Sequence, residues 1–284
     1  MRIGVYVINL DRDAGRLEFM RRQLDAAGLE FTRFPAVLGT AVPAELAPWF
    51  RNPDGTAVAW LKPGEIGVYA SHIGIHRLLL DTDLDAALVF EDDVRLSPDL
   101  STFLATVDTL PRNWDIVRLS NPSKAAFAVF AQLAPGLDLV GYARVPNNLG
   151  CYLISRSGAA KTTRFRGVRT WAIDEDMRRP WDWDLMTYGV LPAPTEANVL
   201  DTSSIDSLGA RTLGRETWWA KLKRRRWLTP AAIIRRIGWQ IRFFGLGTWL
   251  RCLATGFAAR LRRALSAQAR KLPRETLYRV DARR

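Results

Sequence analysis

The chain has 284 residues, 48% of them apolar, which is enough to bury a core and excludes disorder throughout. Its two cysteines, Cys151 and Cys252, stand far apart with no CxxC or Cys/His grouping, so neither a disulfide framework nor a zinc site is supported, and free thiols in a reducing compartment are expected. The formal net charge of +12 conceals a division: residues 1–207 hold 21 Lys and Arg against 26 Asp and Glu, whereas residues 208–284 hold 20 against 3.

Taken along the chain, Ile3 to Leu10 reads as a first strand. This apolar run is too short for a signal peptide and meets Asp11 and Arg12 at once, as expected of a cytoplasmic protein. A helix over Ala14 to Ala27 and a strand over Phe31 to Phe34 follow. The next helix, Pro63 to Leu80, is well signalled, because Pro63 suits a first helical position and Ile66, Tyr69, Ala70, Ile73 and Leu80 recur at helical spacing. It carries both histidines, His72 and His76, four residues apart on one face. The sequence there lacks the glutamate of H-E-x-x-H and shows no third ligand, which favours a structural or substrate-contacting role over zinc. Ala86 to Phe90 is a buried strand. Further strands are expected at Trp114 to Leu119, Leu137 to Arg144 and Cys151 to Ile154, with a helix over Ser157 to Thr163. Strands alternating with helices predict an α/β domain with a largely parallel sheet.

The strand at Ala86 ends abruptly in three carboxylates, Glu91-Asp92-Asp93. Open α/β sheets bind ligands outside the carboxyl ends of their strands, and adjacent carboxylates repel one another unless a cation or proton sits between them. Hard oxygen ligands suit Mn²⁺ or Mg²⁺, ions typically held by one or two carboxylates together with substrate phosphates, so a nucleotide-diphosphate ligand is expected. An ordinary acidic turn at a strand end is the competing reading. If the run stays extended, Glu91 and Asp93 face one way and Asp92 the other, which makes Glu91 and Asp93 the metal and nucleotide pair. Asn9 and Arg12 leave the end of the first strand, where a base and phosphate would be met, and Arg16 one turn later would pair with an acidic neighbour. Walker A, Gly-x-Gly-x-x-Gly and Gly-x-Ser-x-Gly patterns are all missing, which removes the P-loop, dinucleotide and serine-hydrolase readings.

Five segments in order resemble glycosyltransferase family 25, the group of lipooligosaccharide and collagen galactosyltransferases. They are Val7-Ile8-Asn9-Leu10-Asp11-Arg12 with Arg16, Pro63-Gly64-Glu65-Ile66-Gly67 leading into Ser71-His72, Leu88 to Val94, Tyr152 to Ala159, and Pro180-Trp181-Asp182-Trp183-Asp184-Leu185. Gly15 stands where the family often has aspartate, and a cysteine often found near Val68 or Tyr69 is absent. The resemblance implies a GT-A-like fold, a Rossmann-type sheet flanked by helices, that uses a UDP-sugar and inverts the anomeric centre. Within it Asp93 would ligate the metal directly and Glu91 through water or the ribose. A base must also take the proton of the acceptor hydroxyl. Family position favours Asp182, with Asp184 as a binding or structural alternative and Trp181 and Trp183 as faces for a sugar ring. His72 would touch donor or acceptor.

Beyond residue 207 the chain alternates arginine clusters (Lys221 and Lys223 to Arg226 among them) with Ile233, Ile234, Ile237, Ile241 and Phe244. Arg242 and Arg251 interrupt it, so it is expected to lie on an anionic membrane surface as a basic amphipathic helical extension rather than cross it. Packing on the catalytic domain is the structural alternative; nucleic-acid binding leaves the dense Ile, Phe and Trp content without a role, and no nucleic acid is expected. The resulting expectation is a cytoplasmic, inner-membrane-peripheral hexosyltransferase that moves galactose from a UDP-sugar to a glycan or lipid-linked glycan such as lipopolysaccharide core. A non-catalytic nucleotide-sugar or glycan-binding adaptor is the alternative from another class.

Overall fold

The computed structural model describes residues 1–52, 54–56, 58, 60–120, 125–197, 199–200, 229–266 and 274–281. Nine strands form one sheet in the order β11-β6-β7-β9-β5-β8-β3-β1-β2. The unit that begins it is β1 (Ile3–Asn9), α1 (Ala14–Ala26) and β2 (Thr32–Pro35), followed by α2 (Pro63–Leu80) and β3 (Ala86–Glu91). Both β2 and β3 pair parallel to β1, with Val7 beside Phe90 and Ile8 beside Glu91. The crossover helices α1 and α2 cover opposite faces of this unit. Leu88 and Phe90 pack with Met20 and Leu24 of α1, while Ala87 and Val89 pack with Tyr69, Ile73 and Leu79 of α2. Each fully buried Leu, Val or Phe contributes about 1.5–3 kcal/mol relative to exposure, so the continuous apolar run of β3 explains itself.

Helix α2 begins where the sequence indicates. Pro63 is its first residue, and Glu65 Oε2 accepts a hydrogen bond from the Lys62 backbone N–H at 2.7 Å. A Cβ at Gly67 would lie 2.4 Å from the Val37 carbonyl oxygen, so the glycine lets the helix start touch the segment leaving β2.

The rest of the sheet departs from the parallel expectation. Strand β8 (Cys151–Ser155) runs antiparallel to both β3 and β5 (Ile116–Arg118). Strand β9 (Thr187–Leu191) is parallel to β5, and β7 (Leu137–Tyr142) is antiparallel to both β9 and β6 (Phe127–Ala134). Direction depends on the connections. β6 and β7 are joined by a turn at Gly136, which adopts φ +79°, and a hairpin of this kind reverses the chain. Two short strands, β4 (Arg95–Leu96) and β10 (Thr195–Glu196), pair separately, and helices α3 (Asp99–Leu104) and α4 (Arg156–Thr163) follow β4 and β8.

The basic segment shares this core in its described part. Helices α7 (Pro230–Phe244) and α8 (Leu246–Leu265) are followed by α9 (Arg274–Tyr278) and β11 (Arg279–Asp281), which adds a parallel strand beside β6. Trp239, Phe243, Phe244, Cys252, Tyr278 and Val280 belong to the same apolar cluster as β3 and β7. A Cβ at Gly141 would meet the Phe243 ring at 2.6 Å, so that strand glycine seats the helix. The basic run Lys221 to Arg226 lies outside the described residues.

Candidate active site

Strand β3 delivers Glu91, Asp92 and Asp93 to its carboxyl end, beside the end of β1. The strand stops at Glu91 and the chain turns at Asp92 and Asp93, so the alternation expected of an extended run ends there. Alternation therefore does not by itself put Glu91 and Asp93 on one side. Asp92 and Asp93 are gathered by one guanidinium of α1: Arg16 Nη1 donates to Asp92 Oδ1 at 2.5 Å and Nη2 to Asp93 Oδ2 at 3.0 Å. Glu91 turns to the α2 face, where its Oε1 lies 3.4 Å from His72 Nε2.

Asn9 is 1% exposed, and both N–H groups of its amide are committed, to Asp92 Oδ2 at 2.7 Å and the Asp13 carbonyl at 3.0 Å. Its Oδ1 accepts from Arg33 Nε at 3.1 Å. The residue expected to meet a nucleotide base therefore orients Asp92. Burial pushes the Asp92 carboxyl up to about 6, with the Asn9 hydrogen bond and Arg16 opposing that shift and neighbouring Asp93 adding to it. Arg12 points outward beside Asp13 at 4.0 Å, half exposed, at the end of β1.

His72 is fully buried, so it does not reach a substrate as expected. It belongs to a chain of contacts: Thr162 Oγ1 to His76 Nδ1 at 2.9 Å, His76 Nε2 to Tyr152 Oη at 2.8 Å, and Tyr152 Oη to His72 Nδ1 at 2.9 Å. Burial drives His76 down to about 3, so it is neutral. Thr162 donates its hydroxyl hydrogen to the carbonyl of Gly158 or Ala159, so it accepts from His76 Nδ1. Tyr152 then donates to His76 Nε2 and accepts from His72 Nδ1. The contact between His72 Nε2 and Glu91 Oε1 joins this chain to the carboxylate cluster.

Two further groups complete the site, and no sequence motif announced either. Arg118 ends β5 fully buried, and one of its nitrogens donates to the carbonyls of Pro146 and Asn148. Its Nε and Nη1 find no hydrogen-bond partner among the described residues. Burial lowers Arg118 to about 10, partly offset by Tyr142, Asp174, Tyr152 and Glu91. Asp174 of α5 (Ile173–Met177) lies within electrostatic reach of both Glu91 and Arg118. Burial raises its carboxyl, and Glu175 and Glu91 raise it further, while a hydrogen bond from the Glu175 N–H and Arg118 act the other way. A single buried arginine inside a β-strand run, Ile116-Val117-Arg118, is the one signal that would have pointed here.

The Trp-Asp segment lies elsewhere. It forms α6 (Pro180–Trp183), ahead of β9, whose Thr187 is level with Ile116 and, across β8, with Ala87. Four residues along the strand and three strand spacings separate that point from Glu91, roughly 20 Å of backbone. Asp182 pairs with Arg235 of α7 at 3.3 Å and with Arg179 at 3.8 Å, and Asp184 pairs with Arg242. Burial raises the Asp182 carboxyl, and Arg179, Arg235 and Arg166 oppose the rise. Trp183 is buried with Arg169 over its ring at 4.4 Å, and Trp181 carries Arg236 at 5.3 Å. The structure brings Asn9, Arg16, Glu91, Asp92, Asp93 and His72 together; among the described residues none of the interactions of Asp182 or Asp184 reaches that group.

Among the described residues no cluster of three or more His, Cys, Asp and Glu could hold a metal ion by itself. The donors present suit an ion completed by a diphosphate, since Glu91 and Asp93 offer hard oxygens with 29% and 14% of their side chains exposed.

Residues 2–133 match glycosyltransferase family 25 (LPS biosynthesis protein). A glycosyltransferase 25 family member of Drosophila melanogaster is 30% identical over 55% of this chain and 27% of its own length. Human procollagen galactosyltransferase 2 is 29% identical over 40% of this chain and 20% of its own length. The chain thus spans about a quarter of these curated relatives. A solved glycosyltransferase involved in glycosylation of the major capsid of PBCV-1 overlaps 57% of this chain and 64% of its own, at 9% identity and a TM-score of 0.33, too loose an overlap to carry an argument. The matched region contains β1, α1, α2 and β3 with their acidic site, and over these residues the chain is similar to glycosyltransferase family 25.

Proposed function

We propose that the chain is an inverting hexosyltransferase that moves galactose from a UDP-sugar to a glycan acceptor such as lipopolysaccharide core. The observation that carries this reading is the cluster Glu91, Asp92 and Asp93 at the carboxyl end of a β2-β1-β3 parallel unit, inside the family-matched region. The galactose assignment rests on the relatives named as procollagen galactosyltransferases. Asp93 and Glu91 would hold Mn²⁺ or Mg²⁺, which supplies charge neutralisation of the diphosphate when bound. Arg16 holds Asp92 and Asp93 in register, and His72 contacts Glu91. Arg12, half exposed at the end of β1, would meet a phosphate there.

For the base that takes the acceptor proton, Asp174 is better placed than Asp182. It lies in the field of Glu91, and burial moves its carboxyl toward the operating pH, as a general base requires. Asp182 is occupied by Arg235 and Arg179.

A cytoplasmic enzyme resting on the inner membrane fits the far side of α8. There Leu246, Leu250, Leu253, Phe257, Leu261 and Leu265 are exposed and recur every three or four residues, while Cys252 and Ala259 face the core. No described helix is long and apolar enough to cross a membrane. Release of UDP from a panel of UDP-sugars, with Mn²⁺ or with chelator, tests the catalytic reading. Metal-dependent turnover of UDP-galactose is expected, and failure to bind or hydrolyse any UDP-sugar would sink the proposal.

A further inference from the structure

A cleft of about 450 Å³ opens between α5, α6, α7 and α8, away from the carboxylate cluster, and its charge is lopsided. Among the described residues five arginines line it, including Arg144, Arg178, Arg236 and Arg260, against a single carboxylate, Glu175. Glu175 is engaged by Arg178 at 2.8 Å, and the fifth arginine, Arg179, pairs with Asp176. Among the described residues Arg236 has no carboxylate partner and lies over the Trp181 ring. Arg236 is lowered by burial and by the charges of Arg144 and Arg178, so these three guanidiniums repel one another across a shared space. Glu175 offsets part of this repulsion at Arg144 and Arg178, a bridging anion would offset more of it, and guanidinium forks match phosphate geometry. The same cleft is lined by Trp171, Trp181 and Trp249, whose faces suit the apolar face of a sugar ring.

The cleft shares two walls with the candidate active site. Helix α5 turns Glu175 to the cleft and holds Asp174 in the field of Glu91. The segment after β7 places Arg144 in the cleft, and its Pro146 and Asn148 carbonyls hold Arg118. We propose that this arginine and tryptophan cleft binds a phosphorylated saccharide, the phosphate across Arg178 and Arg236 and the ring against tryptophan. That this saccharide is part of the acceptor rests on the transferase reading above; that the cleft binds it does not.

The test is calorimetry on the full chain with glucose 6-phosphate, glucose and inorganic phosphate, for the wild type, Arg236→Gln, Arg178→Gln and Asp93→Asn. Glucose 6-phosphate should bind more tightly than either glucose or phosphate, at least tenfold more weakly to each arginine variant, and unchanged to Asp93→Asn. Binding of UDP-galactose with Mn²⁺ should show the reverse pattern, lost in Asp93→Asn and kept in the arginine variants. Arg236→Lys keeps the charge without the fork, and an intermediate affinity in it, with an unaltered melting temperature, separates recognition from misfolding. Phosphosaccharide binding equal in wild type and arginine variants, or no binding at all, would overturn the cleft. Phosphate binding as tightly as glucose 6-phosphate would overturn the saccharide half of the assignment. Intact cleft binding without any UDP-sugar binding would leave the cleft standing and remove the transferase reading.

Discussion

Two acid-bearing segments, Glu91-Asp92-Asp93 and Asp182-Trp183-Asp184, look alike as sequence and meet opposite fates in the fold. The first is held by residues of the family-matched region: Asn9, Arg16 and His72 contact the carboxylates at the carboxyl end of a parallel strand. The second is held by the basic segment, because Arg235 and Arg242 of α7 take its two aspartates and Arg236 covers Trp181. Aspartates beside aromatic residues and a run rich in arginine, read separately, suggest catalysis and membrane docking. In the structure they satisfy each other. Burial raises both carboxylates; the arginines around Asp182 oppose the rise and hold its oxygens, whereas at Asp174 the neighbouring Glu175 and Glu91 add to it.

The two acidic segments should differ most at Asp93. Asp93→Ala should lower UDP release by roughly 10³-fold, the several kcal/mol that a metal's charge stabilisation supplies; a loss below tenfold would move the metal elsewhere. Next comes the docking of the basic segment. Phe243, stacked on Trp239 and buried against Gly141, should cost about 3–5 kcal/mol as Phe243→Ala in urea unfolding. A cost under about 1 kcal/mol would show that α7 is not part of the core. An effect of similar size, spread over several pH units, concerns the buried histidine chain. His76 is about 3 in the fold against 6.5 when free, so the unfolded chain binds the extra proton between those values. Stability is fully present above pH 6.5 and falls as pH drops toward 3, by up to about 1.4 kcal/mol per pH unit for one proton. His76→Gln, with no proton to gain, should lose that one-proton slope in acid titrations followed by circular dichroism. Equal slopes would contradict a neutral buried His76.

Much of the frame was readable in the residues. The apolar run of β3 and the Pro63 start and helical spacing of α2 each carry a local signal, and each element appears where that signal lies. Strand direction was not readable, because an apolar five-residue run such as Cys151–Ser155 packs equally well either way and only its connections orient it. Side-chain direction in the triplet was not readable either, because alternation holds only while the chain stays extended, and β3 ends at Glu91. Asp174 and Arg118 could not be found at all by motif. They are brought to Glu91 by a short helix and a three-residue strand far apart in sequence, and their chemistry comes from burial that no local pattern records.

The most direct measurement is UDP release at saturating UDP-galactose and Mn²⁺ for Asp174→Asn and Asp182→Asn side by side. General-base removal costs about 10²–10⁴-fold, so Asp174→Asn should fall into that range while Asp182→Asn stays within about tenfold of wild type. The opposite ranking would contradict the account and return the base to the Trp-Asp segment.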